Sequence, residues 1–181
     1  MKSPLTLKMR AITLLSQREH SPAELRRKLL RIRADMARAA SATLAARNRC
    51  EVDRTEESHE DQAAMAASEV DTLMAWLRAQ GYLSEARFVE SRINARASRY
   101  GSLRIKQELA QHGLTLCAES QADLRASEAE RASVVWQRKF GGGSTQVDPA
   151  QRAKQIRFMT SRGFAPDVVR RVIRAAGEAS D

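Results

Sequence analysis

Aromatic residues make up only 4% of this 181-residue sequence, which also has just two cysteines, four prolines and eight glycines. Each scarcity excludes something. So little proline and glycine leaves few turn residues for a sheet-rich fold. Cys50 and Cys117 stand alone, with no CxxC spacing and no histidine pattern beside them. That argues against a zinc site or a disulfide framework and fits a reducing compartment. No apolar run approaches the roughly 20 residues of a membrane span. The opening stretch MKSPLTLKMRAITLLSQREH lacks the apolar core and cleavage site of a signal peptide. A cytoplasmic location is expected. His20, His59 and His112 are far apart, and there is no HExxH, no Walker loop and no GxSxG. Nothing here carries catalysis, so no enzyme activity, cofactor or metal is expected.

What remains is helix-forming. Hydrophobic residues make up 43% and charged residues 29%; alanine, leucine, arginine, glutamate and glutamine dominate, and all favour helices. An all-α protein is expected. The net charge of +9 points to a polyanionic or acidic partner. It is unevenly spread: residues 1–49 carry +9, residues 50–61 carry −5, and residues 62–181 carry +5.

Apolar spacing and capping residues predict helices over 5–17, from Pro22 onward, 68–80, 85–99, 103–112, 118–140, 149–162 and 166–176. Ser21, Pro22 and Glu24 form a capping box at the start of the second helix. Its Ala/Arg-rich continuation, 34–49, has no breaker and can stay helical, whereas the acidic CEVDRTEESHEDQ reads as a flexible loop. Gly81 suits a helix C-terminus and Ser84 the next N-cap. Gly141-Gly142-Gly143 is no phosphate loop, because no strand precedes it and no lysine follows. It reads as a linker over 141–147.

Three joints share one pattern: His20-Ser21-Pro22, Tyr100-Gly101-Ser102 and Phe164-Ala165-Pro166. Each is a tight stop followed by a short helix with apolar anchors four residues apart, namely Leu25 and Leu29, Ile105 and Leu109, Val169 and Ile173. This predicts an elongated tandem array of three divergent three-helix, helix-turn-helix-like repeats. The first is 1–80, with an insertion at about 34–64. The central basic helices of the second are 81–117, its first helix being about 68–80. The third is 118–181.

The same residues carry a family resemblance. LLSQREHSPAELRRKL, then WLRAQGYLSEARFVESRINARASRYGSLRIKQELAQHGL, then VWQRKFG followed by RAKQIRFMTSRGFAPDVVRRVI resemble the RecX family, bacterial modulators of the RecA recombinase. The resemblance spans nearly the whole chain outside about 34–64. It implies tandem three-helix repeats and a non-enzymatic role. That role is to bind RecA and its filament on single-stranded DNA, lower its ATPase and strand exchange, and block filament growth or promote disassembly. Recombinational repair and the SOS response would be the processes modulated.

The family has no catalytic residues to carry over, so candidate contacts come from charge. From Ser91 to Gln107 the charged residues are Arg92, Arg96, Arg99, Arg104 and Lys106, with no acid among them; Arg170, Arg171 and Arg174 repeat the theme in the last helix. A single arginine on a helix is ordinary solvation, but five without an acid make a surface. Guanidinium groups suit phosphate or carboxylate alike, and the N-terminal position of Arg104 and Lys106 would add a favourable dipole for an anion. Few aromatics lie nearby, so any direct contact with DNA is expected to be weak and sequence-independent, made to the backbone without stacking. Trp76 and Trp136 read as core residues. A monomer is expected. A helix-turn-helix transcriptional regulator is the alternative, though no helix carries the spaced Asn, Gln and Arg that read base edges.

Overall fold

In the computed structural model, residues 5–47, 56–141 and 148–178 are described, and among them every regular element is a helix. Cys50 and residues 142–147 of the expected linker lie outside these residues. The chain divides into two compact units, Met1–Phe88 and Val89–Asp181.

The first unit holds α1 (Leu7–Gln17), α2 (Pro22–Arg47) and α3 (Glu56–Ala79). Thr6 caps α1 through its hydroxyl, which accepts from the Met9 N–H at 3.3 Å. Ser21 caps α2 in the same way, accepting from the Glu24 N–H at 3.1 Å. Leu7 and Ala11 of α1 meet Leu25 and Leu29 of α2 and Val70, Met74 and Leu77 of α3. Burying each large aliphatic side chain is worth about 1.5–3 kcal/mol, so this seam outweighs any surface pairing. Trp76 packs half-buried against it, and the Lys8 ammonium lies 3.6 Å above its ring. Gly81 ends α3 with φ +72°, the left-handed turn that favours glycine.

The acidic stretch departs from expectation. The flexible loop predicted for 50–62 is helical from Glu56 onward, and α3 therefore starts a dozen residues before Ser68. Acidic residues gathered ahead of an apolar stripe suit the positive end of a helix dipole. Low apolar content in that stretch therefore did not mean the absence of a helix. Residues 50–55 of that stretch lie outside the described residues.

The second unit contains the rest of α4 (Glu85–Ala97), then α5 (Ser102–Gln111), α6 (Ala118–Ala126), α7 (Glu128–Phe140), α8 (Pro149–Ser161) and α9 (Pro166–Glu178). Its core joins Ala132 and Val135 of α7, Met159 of α8, Phe164, and Val168, Val169, Val172 and Ile173 of α9. Trp136 packs half-buried on this core and donates to Gln155 Oε1 at 3.3 Å.

The single helix expected over 118–140 is two, broken at Ser127. The cause is a side chain in the backbone ladder. Arg131 donates to the Leu124 carbonyl at 2.7 Å, and also to the carbonyls of Ala97 (3.0 Å) and Tyr100 (2.9 Å). It thereby gathers the C-terminal ends of α4 and α6. Burial pushes its pKa below the ordinary arginine value, partly opposed by the charge of Glu128. One turn earlier, Glu128 is buried and does the opposite job. It accepts from the Ser102 N–H (2.9 Å) and hydroxyl (2.8 Å) and from the Ala165 N–H (3.4 Å), at the N-termini of α5 and α9.

Two of the three repeated joints meet at this point. The Gly101 N–H donates to the Arg162 carbonyl at 3.0 Å, and the Leu103 N–H to the Gly163 carbonyl at 3.1 Å. A Cβ on Gly101 would lie 2.2 Å from the Gly163 oxygen, and one on Gly163 would lie 2.5 Å from the Arg104 nitrogen. Only glycine allows two backbones this close.

The first joint is held differently, by charge. Glu24, nearly buried, accepts a short hydrogen bond from Arg18 and lies 3.4 Å from Lys28 and 3.3 Å from His20 Nδ1. Burial alone would raise its pKa; the hydrogen bonds and charge of Arg18, with His20 and Lys28, overcome it and hold the carboxyl at about 2. Burial lowers the pKa of His20, reinforced by Arg18 and opposed by Glu24.

Two predictions result. Both shifts are downward, so the unfolded chain binds more protons and acid destabilises the fold. His20 acts as pH falls below its ordinary 6.5, and Glu24 acts between its ordinary 4.5 and about 2, a contribution on the order of 3 kcal/mol. Acid titrations followed by circular dichroism should show that Glu24→Gln is less stable at neutral pH and loses most of the pH dependence below 4.5. The second prediction separates crowding from conformation. Gly101→Ala should cost about 3 kcal/mol or more, because backbone must move. Gly113→Ala, at φ +72° with open space around it, should cost only about 1–2 kcal/mol. Thermal melts of the two variants test this, and equal losses would refute the close-approach argument.

Candidate interaction surface

The joint just described fixes what surrounds it. Tyr100, on the loop between α4 and α5, is half-buried and ringed by three guanidinium groups: Arg96 and Arg104, each 5.8 Å from the ring centre, and Arg162 at 5.3 Å. Such contacts are worth about 0.5–1 kcal/mol at exposed sites, and they hold long side chains in place. Arg162 also lies 5.0 Å from the Phe158 ring, so two aromatics orient it.

The sequence-predicted cations separate into two kinds. Arg92 and Arg96 on α4 converge on Glu108 of α5: Arg92 Nη1 is 3.3 Å from Oε1, while Arg96 donates from Nε to Oε2 at 3.0 Å and from Nη2 to Oε1 at 3.2 Å. These pairs are half-buried and clamp α4 to α5. Arg99 and Arg104 are exposed and Lys106 is half-exposed, with no carboxylate paired to any of them among the described residues. Arg170, Arg171 and Arg174 are exposed along α9, opposite its buried valines. The 91–107 run is thus part clamp and part free surface. The acid that divides it is the residue just beyond Gln107.

The expected anion-attracting N-terminus of α5 is not available to a ligand. Its amides at Gly101, Ser102 and Leu103 already bond Arg162, Glu128 and Gly163. Ser102 is buried, so Arg104 and Lys106 present their charge without help from free helix-end N–H groups. Sequence reading missed Glu128 and Arg131, which organise the joint, and Arg162, which joins the Tyr100 cluster. The visible signal for Arg162 was its place beside Gly163 in a repeated joint.

Among the described residues no three His, Cys, Asp or Glu side chains gather as metal ligands, and no helix is long and apolar enough to cross a membrane. Cys117 is exposed at the start of α6, and its pKa is lowered mainly by hydrogen bonding with Ser120.

Two family profiles match this chain: RecX, second three-helix domain, over residues 84–115, and RecX, third three-helix domain, over residues 126–173. Full-length relatives agree. The chain is 41% identical over 177 residues to the regulatory protein RecX of Ralstonia nicotianae, a match covering 97% of this chain and 91% of that protein. It is 38% identical over 181 residues to the regulatory protein RecX of Leptothrix cholodnii, covering 98% and 93%. With the protein of the same name from Herminiimonas arsenicoxydans it shares 35% over 182 residues, covering 99% of both. With its all-helical fold and its two matched three-helix domains, the chain belongs to the RecX family of regulatory proteins.

Proposed function

We propose that this chain is a non-enzymatic regulator of the RecA recombinase. It binds RecA and RecA filaments on single-stranded DNA, and lowers ATPase and strand-exchange activity by blocking filament extension or promoting disassembly. Recombinational repair and the SOS response are the processes it would modulate. The observation that carries this reading is the near-full-length identity to proteins named regulatory protein RecX. Excess positive charge on exposed helix faces supports it, since a DNA-bound filament is a polyanion.

In this reading three repeats, 1–80, 81–117 and 118–181, present Arg92, Arg96, Arg99, Arg104, Lys106, Arg170, Arg171 and Arg174 to the filament. Arg99 and Arg104 are the contacts of greatest weight, being exposed and unpaired, whereas Arg92 and Arg96 act first as the α4–α5 clamp. A major-groove role for α5 is disfavoured on geometry. Recognition helices of that class present their N-terminal residues to base edges, and here that end is packed against the end of α8.

The single-strand-DNA-dependent ATPase of the cognate RecA should fall as this chain is added in near-stoichiometric amounts. Arg99→Ala with Arg104→Ala should raise the half-inhibitory concentration about tenfold, from two exposed charged contacts of about 0.7 kcal/mol each. Unchanged ATPase with the wild-type chain would overturn the function. Full inhibition by a folded double variant would move the contact elsewhere.

A further inference from the structure

The α2–α3 hairpin runs on past Leu29 and Val70, the last buried residues of its core, and one side of that continuation is open. Ala34, Ala37 and Ser41 of α2 and Gln62, Met65 and Ala66 of α3 line an apolar groove of about 470 Å³ there. Both sets fall at helical spacing, so each helix turns one stripe toward the groove. Met65 is 72% exposed, the most of any large hydrophobic side chain among the described residues.

The two cations on the rim are already paired. Arg33 donates across the hairpin to Glu69 at 2.6 Å, and Arg38 bonds Asp35 on its own helix. Such a rim has no net charge to draw a polyanion or a charged peptide. What the groove does offer is a hole, the small side chains of α2, beside a knob, Met65. Knob and hole on one surface suit an isologous pair, in which residue i of each copy meets residue j of the other. A foreign helix would have to bring both in matching register, whereas a second copy has them by identity.

The register fits a two-fold axis. The Arg33–Glu69 pair sets these residues level, and one turn along the antiparallel helices sets Ala37 level with Met65. An axis running along the hairpin then lays α2 of each copy over α3 of the other. Met65 meets Ala37 of the second copy, and Arg33 meets its Glu69, so the ion pairs alternate in sign across the contact.

We infer that this groove is the contact face of a two-fold dimer, each copy seating Met65 on the small side chains of the other's α2. It replaces the monomer expected from sequence and does not depend on what the basic surface binds. Area sets its strength. From Ala34 to Arg47 the arm is about 20 Å long, and two helices side by side make it about 20 Å wide. That is roughly 400 Å², half of the 800 Å² or so that each partner gives to a standard interface. The dimer is weak and transient.

Sedimentation equilibrium of the full chain from about 1 to about 500 μM should show a monomer–dimer equilibrium. Met65→Glu should raise the dissociation constant about tenfold or more, because it places a charge in the contact twice per dimer. Met65→Leu should stay within about threefold. Circular dichroism checks that each variant is folded. Exchanging the rim charges, Arg33→Glu with Glu69→Arg, keeps the pair within each chain and the match between identical copies. Mixed with the unaltered chain, it sets like charge against like. Energy transfer between differently labelled chains should therefore show mixed dimers below the statistical half. A chain that stays monomeric throughout would overturn the inference and leave the groove to a helix of another protein. A dimer indifferent to Met65→Glu would place the interface elsewhere, and mixed dimers at or above the statistical half would refute the α2-over-α3 arrangement.

Discussion

Glu128 and Arg131 lie one turn apart on α7 and serve opposite ends of four other helices. The carboxylate takes the N–H groups that begin α5 and α9, and the guanidinium takes the carbonyls that end α4 and α6. Every helix leaves unpaired polar groups at its ends, and burying them without partners is expensive. Two side chains of opposite charge, each matched to the dipole end it faces, pair end groups of four helices where these converge on α7. Removing one charge would strand the groups it serves and leave the other near the ends it does not complement. The positions of Tyr100, Arg104 and Arg162, and hence the basic surface around them, all depend on this pair.

Local chemistry made much of the fold legible in the sequence. Ser21 and Ser84 cap where their spacing implied, Gly81 and Gly113 adopt the left-handed turn, and Leu25, Leu29, Ile105, Leu109, Val169 and Ile173 are buried anchors of the repeated joints. Periodicity could not show the break at Ser127, because it comes from the Arg131 guanidinium reaching back to Leu124. In sequence that arginine looks like any other solvated residue. Nor could local pattern show that Gly101 and Gly163 touch. Their resemblance as joints was visible, but their pairing is a tertiary fact.

The surface was legible in its charge and not in its bookkeeping of partners. A run without acids from Ser91 to Gln107 looked uniformly available, yet Glu108 on α5 holds Arg96 and Arg92 on α4, twelve and sixteen residues earlier in the chain. Cations left unpaired by that clamp come from separate stretches: Arg99 after α4, Arg138 and Lys139 at the end of α7, and Arg162 after α8. No single window of sequence contains them. Their common property is position at a helix end, which becomes a shared groove only when the ends converge.

The docking of the end of α8 onto the start of α5 also sets an order of events. The N–H groups of Gly101 and Leu103 find their acceptors on residues some sixty positions later, Arg162 and Gly163. As the chain leaves the ribosome, the helices that carry the central cations are made well before the residues that complete their joint. Domains otherwise tend to consolidate from the N-terminus during synthesis. Here the middle of the molecule waits for its tail, and a chain cut short before Arg162 would expose the unfinished joint however intact its central sequence remained.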